Sequence, residues 1–76
     1  MYRYKILIID DDRLLQNSLR NVLSAKYDTV IAGSGEAGLE ALGSGDVDLV
    51  LLDIRLPGID GIETLRRIKE AHKNLT

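Results

Sequence analysis

Aspartate residues follow two apolar segments of the chain, at positions where they could act together. Asp10, Asp11 and Asp12 come directly after the apolar run at residues 6–9, and Asp53 closes a second run. Carboxylate oxygens are ligands that Mg²⁺ accepts, and this ion often bridges to phosphate oxygens as well. An aspartate carboxylate can also attack a phosphoryl group and form an aspartyl-phosphate. If folding brings these acids together, they suit metal-assisted phosphoryl transfer.

Three apolar runs that read as strands alternate with three amphipathic segments that read as helices. The predicted strands are short, rich in aliphatic residues and bounded by acids or glycines, as buried strands are. They lie at residues 4–9, 28–32 and 47–52. The third run is almost continuously apolar, which indicates a strand covered on both faces.

The predicted helices have recognisable starts and apolar stripes. Asp12, Ser34 and Asp60 stand where helix N-caps are expected. The stripe of the first helix consists of Leu15, Leu19, Val22 and Leu23. The inner side of the third is predicted to carry Ile62, Leu65 and Ile68, with Ala71 or His72. The second helix, ending near Gly43, is the least well defined because it contains Gly38.

Alternating strands and helices predict an α/β fold with parallel strands joined by right-handed crossovers. The natural order for three such units is 2-1-3, a truncated flavodoxin-like (βα)3 sheet, which makes strands one and three neighbours. Their carboxyl ends, and with them Asp10, Asp11 and Asp53, then meet at one edge. Asp53 stands alone at its strand end and is the expected nucleophile, while Asp10 and Asp11 form the expected metal pair. Asp12 and Asp60 are interpreted as helix caps only.

Composition narrows the class of protein. With 76 residues the chain forms one small domain at most, and it contains no cysteine for disulfides or thiolate metal sites. A formal charge of −2 argues against nucleic-acid binding by this segment. No apolar stretch is long enough for a membrane helix, so a cytoplasmic protein is expected. The single histidine, His72, is interpreted as a surface residue and not as a catalytic base.

Two segments resemble the response-regulator receiver (CheY-like) family. KILIIDDD at residues 5–12 is similar to the opening of receivers, and LLDIRLPGIDG at residues 51–61 to their phosphorylation segment. The resemblance implies that Asp53 accepts a phosphoryl group from a histidine kinase or phosphotransfer protein. It further implies that Asp11 binds Mg²⁺ directly and Asp10 mainly through water, with Asp53 and the backbone carbonyl of Arg55 completing the metal ligands.

The chain departs from this family in length. Receivers continue through two more strands and helices, which carry a Ser or Thr that senses the phosphoryl group and a Lys that pairs with it. Only 76 − 53 = 23 residues follow Asp53, so residues 1–76 are expected to be a partial receiver without the last two strands and helices. Such a chain is expected to be a phosphoacceptor and not an enzyme, and not competent to switch.

Two other interpretations remain open. A half-domain could have self-association as its main property, forming a two-fold homodimer through the free edge and bare face of the third strand without phosphorelay activity. A phosphohydrolase of the haloacid-dehalogenase type also uses two acids after a first strand, here Asp10 and Asp12. In that family a Thr or Val is usual where this chain has Leu14, and the chain has no room for the other motifs.

Overall fold

The computed structural model describes residues 3–53 and 60–72, which form three strands and three helices. In chain order these are β1 Lys5–Ile9, α1 Arg13–Leu23, β2 Asp28–Ala32, α2 Gly35–Leu42, β3 Leu49–Leu52 and α3 Gly61–Ala71. All strand pairs are parallel and the sheet order is β2-β1-β3. The predicted truncated flavodoxin-like sheet is therefore confirmed, although β1 and β3 begin later than predicted.

The central strand β1 carries the core. Its last four residues are at most 4% exposed, because β1 is paired on both edges and packed on both faces. On one face Leu7 and Ile9 join Ile68 of α3 in the main cluster, with α2 alongside. Full burial of such a side chain contributes about 1.5–3 kcal/mol. Most of the packing that holds the carboxyl end of β1 therefore comes from this side of the sheet.

Helix α2 comes very close to β1 at Gly38. An added Cβ at Gly38 would lie 2.3 Å from Cδ1 and 2.8 Å from Cγ1 of Ile9. Ile9 is fully buried, so its side chain has little room to move away. Gly38 lowers the helix propensity of this segment, but its lack of a side chain lets α2 pack closely on the sheet.

All three predicted N-caps are present. The carboxylate of Asp12 accepts hydrogen bonds from the backbone of Leu14 and Leu15, and the Ser34 hydroxyl accepts one from Ala37. Asp60 accepts one from Glu63, 2.8 Å away. Each cap satisfies backbone donors that the first helical turn leaves unpaired.

The predicted inner side of α3 was partly wrong. Ile68 is buried as expected, but Ile62 and Leu65 are 63% and 45% exposed. The inner positions are instead Gly61 and Thr64. The Thr64 hydroxyl donates to the backbone carbonyl of Asp60, 2.8 Å away, so this fully buried polar residue is satisfied within its own helix.

The exposed side of α3 carries paired charges. Glu63 accepts hydrogen bonds from the guanidinium groups of Arg66 and Arg67. These hydrogen bonds lower the pKa of the Glu63 carboxyl to about 2, and the bond from Arg66 has the larger effect. The pairs follow helical spacing and support the helix without any burial.

The register of β1 and β3 is fixed at the amino end of the sheet. The Lys5 amide donates to the Asp48 carboxylate at 2.8 Å, and the Asp48 amide donates to the Lys5 carbonyl at 2.8 Å. The Lys5 ammonium also pairs with Asp46. From this start Ile6 lies beside Leu49 and Ile9 beside Leu52.

The sheet face under α1 is sparsely covered. No residue of α1 is buried, and its predicted apolar stripe includes Val22 at 74% and Leu15 at 44% exposure. Leu51 of β3 is 36% exposed on this side.

No helix among residues 3–53 and 60–72 has the length and apolar character needed to cross a membrane.

Candidate functional site

The structure brings three of the predicted site residues together. Asp10 directly follows β1, and Asp53 directly follows β3. One carboxylate oxygen from each of Asp10, Asp11 and Asp53 lies within 4.8 Å of the others. The Asp53 amide donates to the Ile9 carbonyl at 2.9 Å, so the parallel pairing of the strands sets its place beside Asp10.

The three acids differ in environment. Asp10 is 7% exposed, Asp53 is half-buried and Asp11 is exposed. The Asp10 amide donates to the Ala32 carbonyl at 3.0 Å, which ties this residue to the end of β2. One oxygen of its carboxylate accepts from the Asp12 amide at 2.9 Å. Asp10 is therefore held on both its backbone and its side chain, while Asp11 faces outward.

Asp12 has the structural role predicted for it and lies outside the cluster. Its carboxylate accepts from the Leu14 amide at 2.9 Å and the Leu15 amide at 3.3 Å. The haloacid-dehalogenase alternative needs Asp10 and Asp12 as a working pair. Because Asp12 is used as a helix cap, the geometry favours Asp10, Asp11 and Asp53 instead.

One residue that contacts the site was missed by the sequence analysis. The side-chain amide of Gln16, in the second turn of α1, donates to the backbone carbonyl of Asp10. The only sequence signal was its position, four residues after the cap of a helix that starts at the acids. A polar residue there can reach back over the first turn.

The acids lie in an open cleft of about 680 Å³. Its polar part consists of the three acids of the cluster and Asp12. Its apolar wall consists of side chains of β1, β3 and α1. The wall residues are Ile8, Ile9, Leu15, Leu19, Leu51 and Leu52. The cleft is large enough for a small anion beside the carboxylates, at the carboxyl edge where open α/β sheets bind ligands.

The donor set fits a hard divalent cation. Three carboxylates within 4.8 Å of each other carry negative charge that a cation would neutralise, and their oxygens are ligands of the type Mg²⁺ takes. The fourth predicted ligand, the backbone carbonyl of Arg55, lies outside the described residues.

His72 is the C-cap of α3, where its amide donates to the Ile68 carbonyl at 2.7 Å.

The sequence matches the model of a family described as response regulator receiver domain over residues 6–76. The chain is 40% identical, over 68 residues, to the nitrate/nitrite response regulator protein NarL of Escherichia coli K12. It is 36% identical, over 78 residues, to a protein-glutamate methylesterase/protein-glutamine glutaminase of Trichodesmium erythraeum. These matches cover 86% and 99% of the chain but only 32% and 22% of the two relatives.

Solved structures share the fold. A CheY-like receiver domain protein from Methanospirillum hungatei superposes with a TM-score of 0.94 at 29% identity, covering 99% of this chain and 61% of that one. The response regulator TrrA of Thermotoga maritima, solved in complex with Mg²⁺-BeF, gives 0.90 at 35% identity and covers 96% and 64%. The chain thus spans about three-fifths of these receiver structures. With its fold, its acidic edge and its family match in agreement, the chain belongs to the response regulator receiver domains of two-component systems.

Proposed function

We propose that this chain is the part of a receiver that accepts a phosphoryl group on Asp53, with Mg²⁺ held by Asp10, Asp11 and Asp53. The convergence of these carboxylates within 4.8 Å at adjacent strand ends is the observation that carries the proposal. The relative TrrA, solved with Mg²⁺-BeF, supports it by analogy. The donor would be a histidine kinase or a phosphotransfer protein.

The residues have distinct parts in this chemistry. A carboxylate oxygen of Asp53 forms the new bond to phosphorus while the bond from phosphorus to the donor's histidine nitrogen breaks, and that nitrogen takes a proton. Asp10 and Asp11 would hold the cation together with Asp53, and the backbone carbonyl of Arg55 is the further ligand we propose. The bound Mg²⁺ would offset the negative charge of the phosphoryl oxygens. The strand ends hold the nucleophile in position for attack, which is the main protein contribution to such transfers.

The proposal covers this segment and not the activity of a whole protein. The segment is a phosphoacceptor and no enzyme by itself, it acts in the cytoplasm, and residues 1–76 do not switch an output. The methylesterase relative shows that receivers can be joined to enzymes, since the chain covers 22% of that protein. Switching needs groups outside the three βα units described above.

Millimolar Mg²⁺ is expected to shift the backbone amide resonances of residues 10, 11 and 53 in a saturable titration. The reason is that metal binding draws the three carboxylates toward one ion and changes the field at these amides. Asp11→Asn should weaken the binding at least about tenfold, because a directly bound charge is lost. Two-dimensional NMR of the labelled chain measures the Mg²⁺ dissociation constants of the wild type and of Asp11→Asn.

The matched control for this titration is Asp60→Asn, which keeps a good N-cap on α3. Asp60 lies outside the acidic cluster and caps a helix through Glu63. The Mg²⁺ affinity of the Asp60→Asn variant should equal that of the wild type. If millimolar Mg²⁺ leaves the amide resonances of Asp11 and Asp53 unshifted in the folded protein, the metal site is refuted.

A second property, self-association, is favoured by the exposed face under α1. A groove of about 430 Å³ lies there between the start of β1, the end of α1 and β3. Its lining is mostly apolar and includes Ile6, Leu23, Leu49 and Leu51. Within the described residues β3 pairs only with β1, so its other edge has no strand beside it. Exposed apolar strand edges tend to pair with another chain.

The 76-residue chain is therefore expected to form a two-fold homodimer at micromolar to millimolar concentration. Burial of the still exposed parts of Leu49 and Leu51 would contribute less than the roughly 1.5–3 kcal/mol of a fully exposed leucine that becomes buried, before the cost of association. Leu51→Thr should shift the sedimentation equilibrium toward monomer. Ile62→Thr, which changes an equally aliphatic but unrelated exposed position at 63% exposure, should leave it unchanged. A monomer throughout this range would refute the dimer.

A further inference from the structure

We propose that Gln16 is a positioning residue that fixes the turn between β1 and α1 and thereby sets the Mg²⁺ affinity of Asp10 and Asp11. The inference rests on the proposed metal site and deepens it. Gln16 does not belong to the acidic cluster and is uncharged, so its effect would be transmitted through the backbone of the residues that do.

The first support is the set of hydrogen bonds around Asp10. Its amide is bound to the Ala32 carbonyl at 3.0 Å, and its carboxylate to the Asp12 amide at 2.9 Å. Its carbonyl accepts from the side-chain amide of Gln16. A carbonyl can only accept, so the nitrogen of the Gln16 amide is the atom that must face it. Gln16 thus ties α1 to the residue at which β1 ends.

The second support is that Gln16 holds both neighbours of Asp11. Its side chain donates to the Asp10 carbonyl, while its backbone amide makes the first hydrogen bond of α1, to the Asp12 carbonyl at 2.9 Å, as any residue at this helical position would. Together with the bond from the Asp12 amide to the Asp10 carboxylate, these contacts close a ring through three residues. Asp11 lies between the two held residues, so the ring restrains the backbone from which its exposed carboxylate projects.

The third support is the position of Gln16 between two strand ends. A Cβ added at Gly33, just after β2, would lie 4.0 Å from Nε2 of Gln16. Gln16 is half-buried there, against the start of the loop to α2. An apolar side chain of the same length could fill this space, but it would leave the Asp10 carbonyl without its donor.

The test replaces Gln16 with Met, which has similar length and helix propensity but no donor. Mg²⁺ affinity is read from NMR titration, exchange of the Asp11 and Asp12 amides is read without metal, and global stability is read from urea unfolding. Asn17→Met is the matched control, since Asn17 is the next, exposed residue of α1. Loss of one neutral hydrogen bond corresponds to an affinity about 3- to 10-fold weaker.

The expected result is weaker Mg²⁺ binding and faster Asp11 and Asp12 amide exchange in Gln16→Met, with neither change in Asn17→Met. Gln16→Glu is a second variant: it also lacks the donor, yet its added negative charge would by itself attract the cation. Weaker binding in Gln16→Glu, despite the added charge, supports positioning.

Unchanged affinity together with lower urea stability in Gln16→Met would show a merely structural role and overturn the proposal. If the wild type binds no Mg²⁺ at all, the proposed metal site is refuted, but the role of Gln16 in fixing the turn can still be tested. In that case faster exchange of the Asp11 and Asp12 amides in Gln16→Met would support this role, and unchanged exchange would overturn it.

Discussion

Asp53→Asn is expected to abolish phosphorylation of the native gene product by its kinase. The change keeps the size and shape of the side chain but replaces the nucleophilic carboxylate oxygen with a neutral amide. The Asp53 backbone amide still donates to Ile9, so the strand end keeps its place. Labelling with radioactive phosphate should give no hydroxylamine-sensitive label on the variant, because that sensitivity reports an acyl phosphate.

A matched aspartate serves as the control for this experiment. Asp12→Asn makes the same chemical change two residues after Asp10, at a position that caps α1 and lies outside the cluster. Since Asn is as good an N-cap as Asp, this variant should be labelled like the wild type. Persisting label on Asp53→Asn would place the acceptor at another residue.

Gly38→Val is expected to destabilise the fold, because it adds a branched side chain where α2 lies directly against β1. The Cβ would enter the space of Cδ1 and Cγ1 of Ile9, at 2.3 and 2.8 Å. Overpacking a dense core costs about 1–3 kcal/mol, and occasionally more. A chain of 76 residues has a total stability of only about 4–11 kcal/mol. Urea unfolding followed by circular dichroism measures the loss.

Two further variants separate the clash from a general effect on the helix. Ala37→Val introduces the same side chain at the neighbouring exposed position and should cost less than about 1 kcal/mol. Ile9→Val removes Cδ1, the atom at 2.3 Å, so the double variant with Gly38→Val should be more stable than the sum of the two single changes predicts. Strict additivity would argue against direct contact.

Much of the fold could be predicted from the sequence because its signals are local. Short aliphatic runs that end in acids indicated the strands, and Asp12, Ser34 and Asp60 marked the helix starts that the structure shows. The alternation then indicated a doubly wound fold, whose natural order for three units is 2-1-3, the order that the structure has. The same reasoning placed Asp10, Asp11 and Asp53 at one edge, since strand ends determine where the residues after them lie.

The parts that could not be predicted depend on packing between distant elements. Ile62 and Leu65 fit an apolar stripe, yet α3 turns Gly61 and Thr64 inward, and only the tertiary structure decides between faces of a short helix. The close approach at Gly38 and the reach of Gln16 to Asp10 are likewise contacts between elements. The sequence shows that Gly38 and Gln16 stand at unusual positions of their helices, but it does not show which residues they contact.

The hydrogen bonds between Lys5 and Asp48 have a consequence for the other end of the sheet. They start the register of β1 and β3, and a slip by one residue would turn every later side chain of β3 to the opposite face. Asp53 lies five residues further on, roughly 16 Å along the strand at about 3.3 Å per residue. Natural selection for phosphoryl acceptance would therefore preserve Asp48 too, although it lies at the opposite end of the sheet from the cleft. In a lineage that lost the acceptor, Asp53 would be free to change, while Asp48 would still be kept by the register of the sheet.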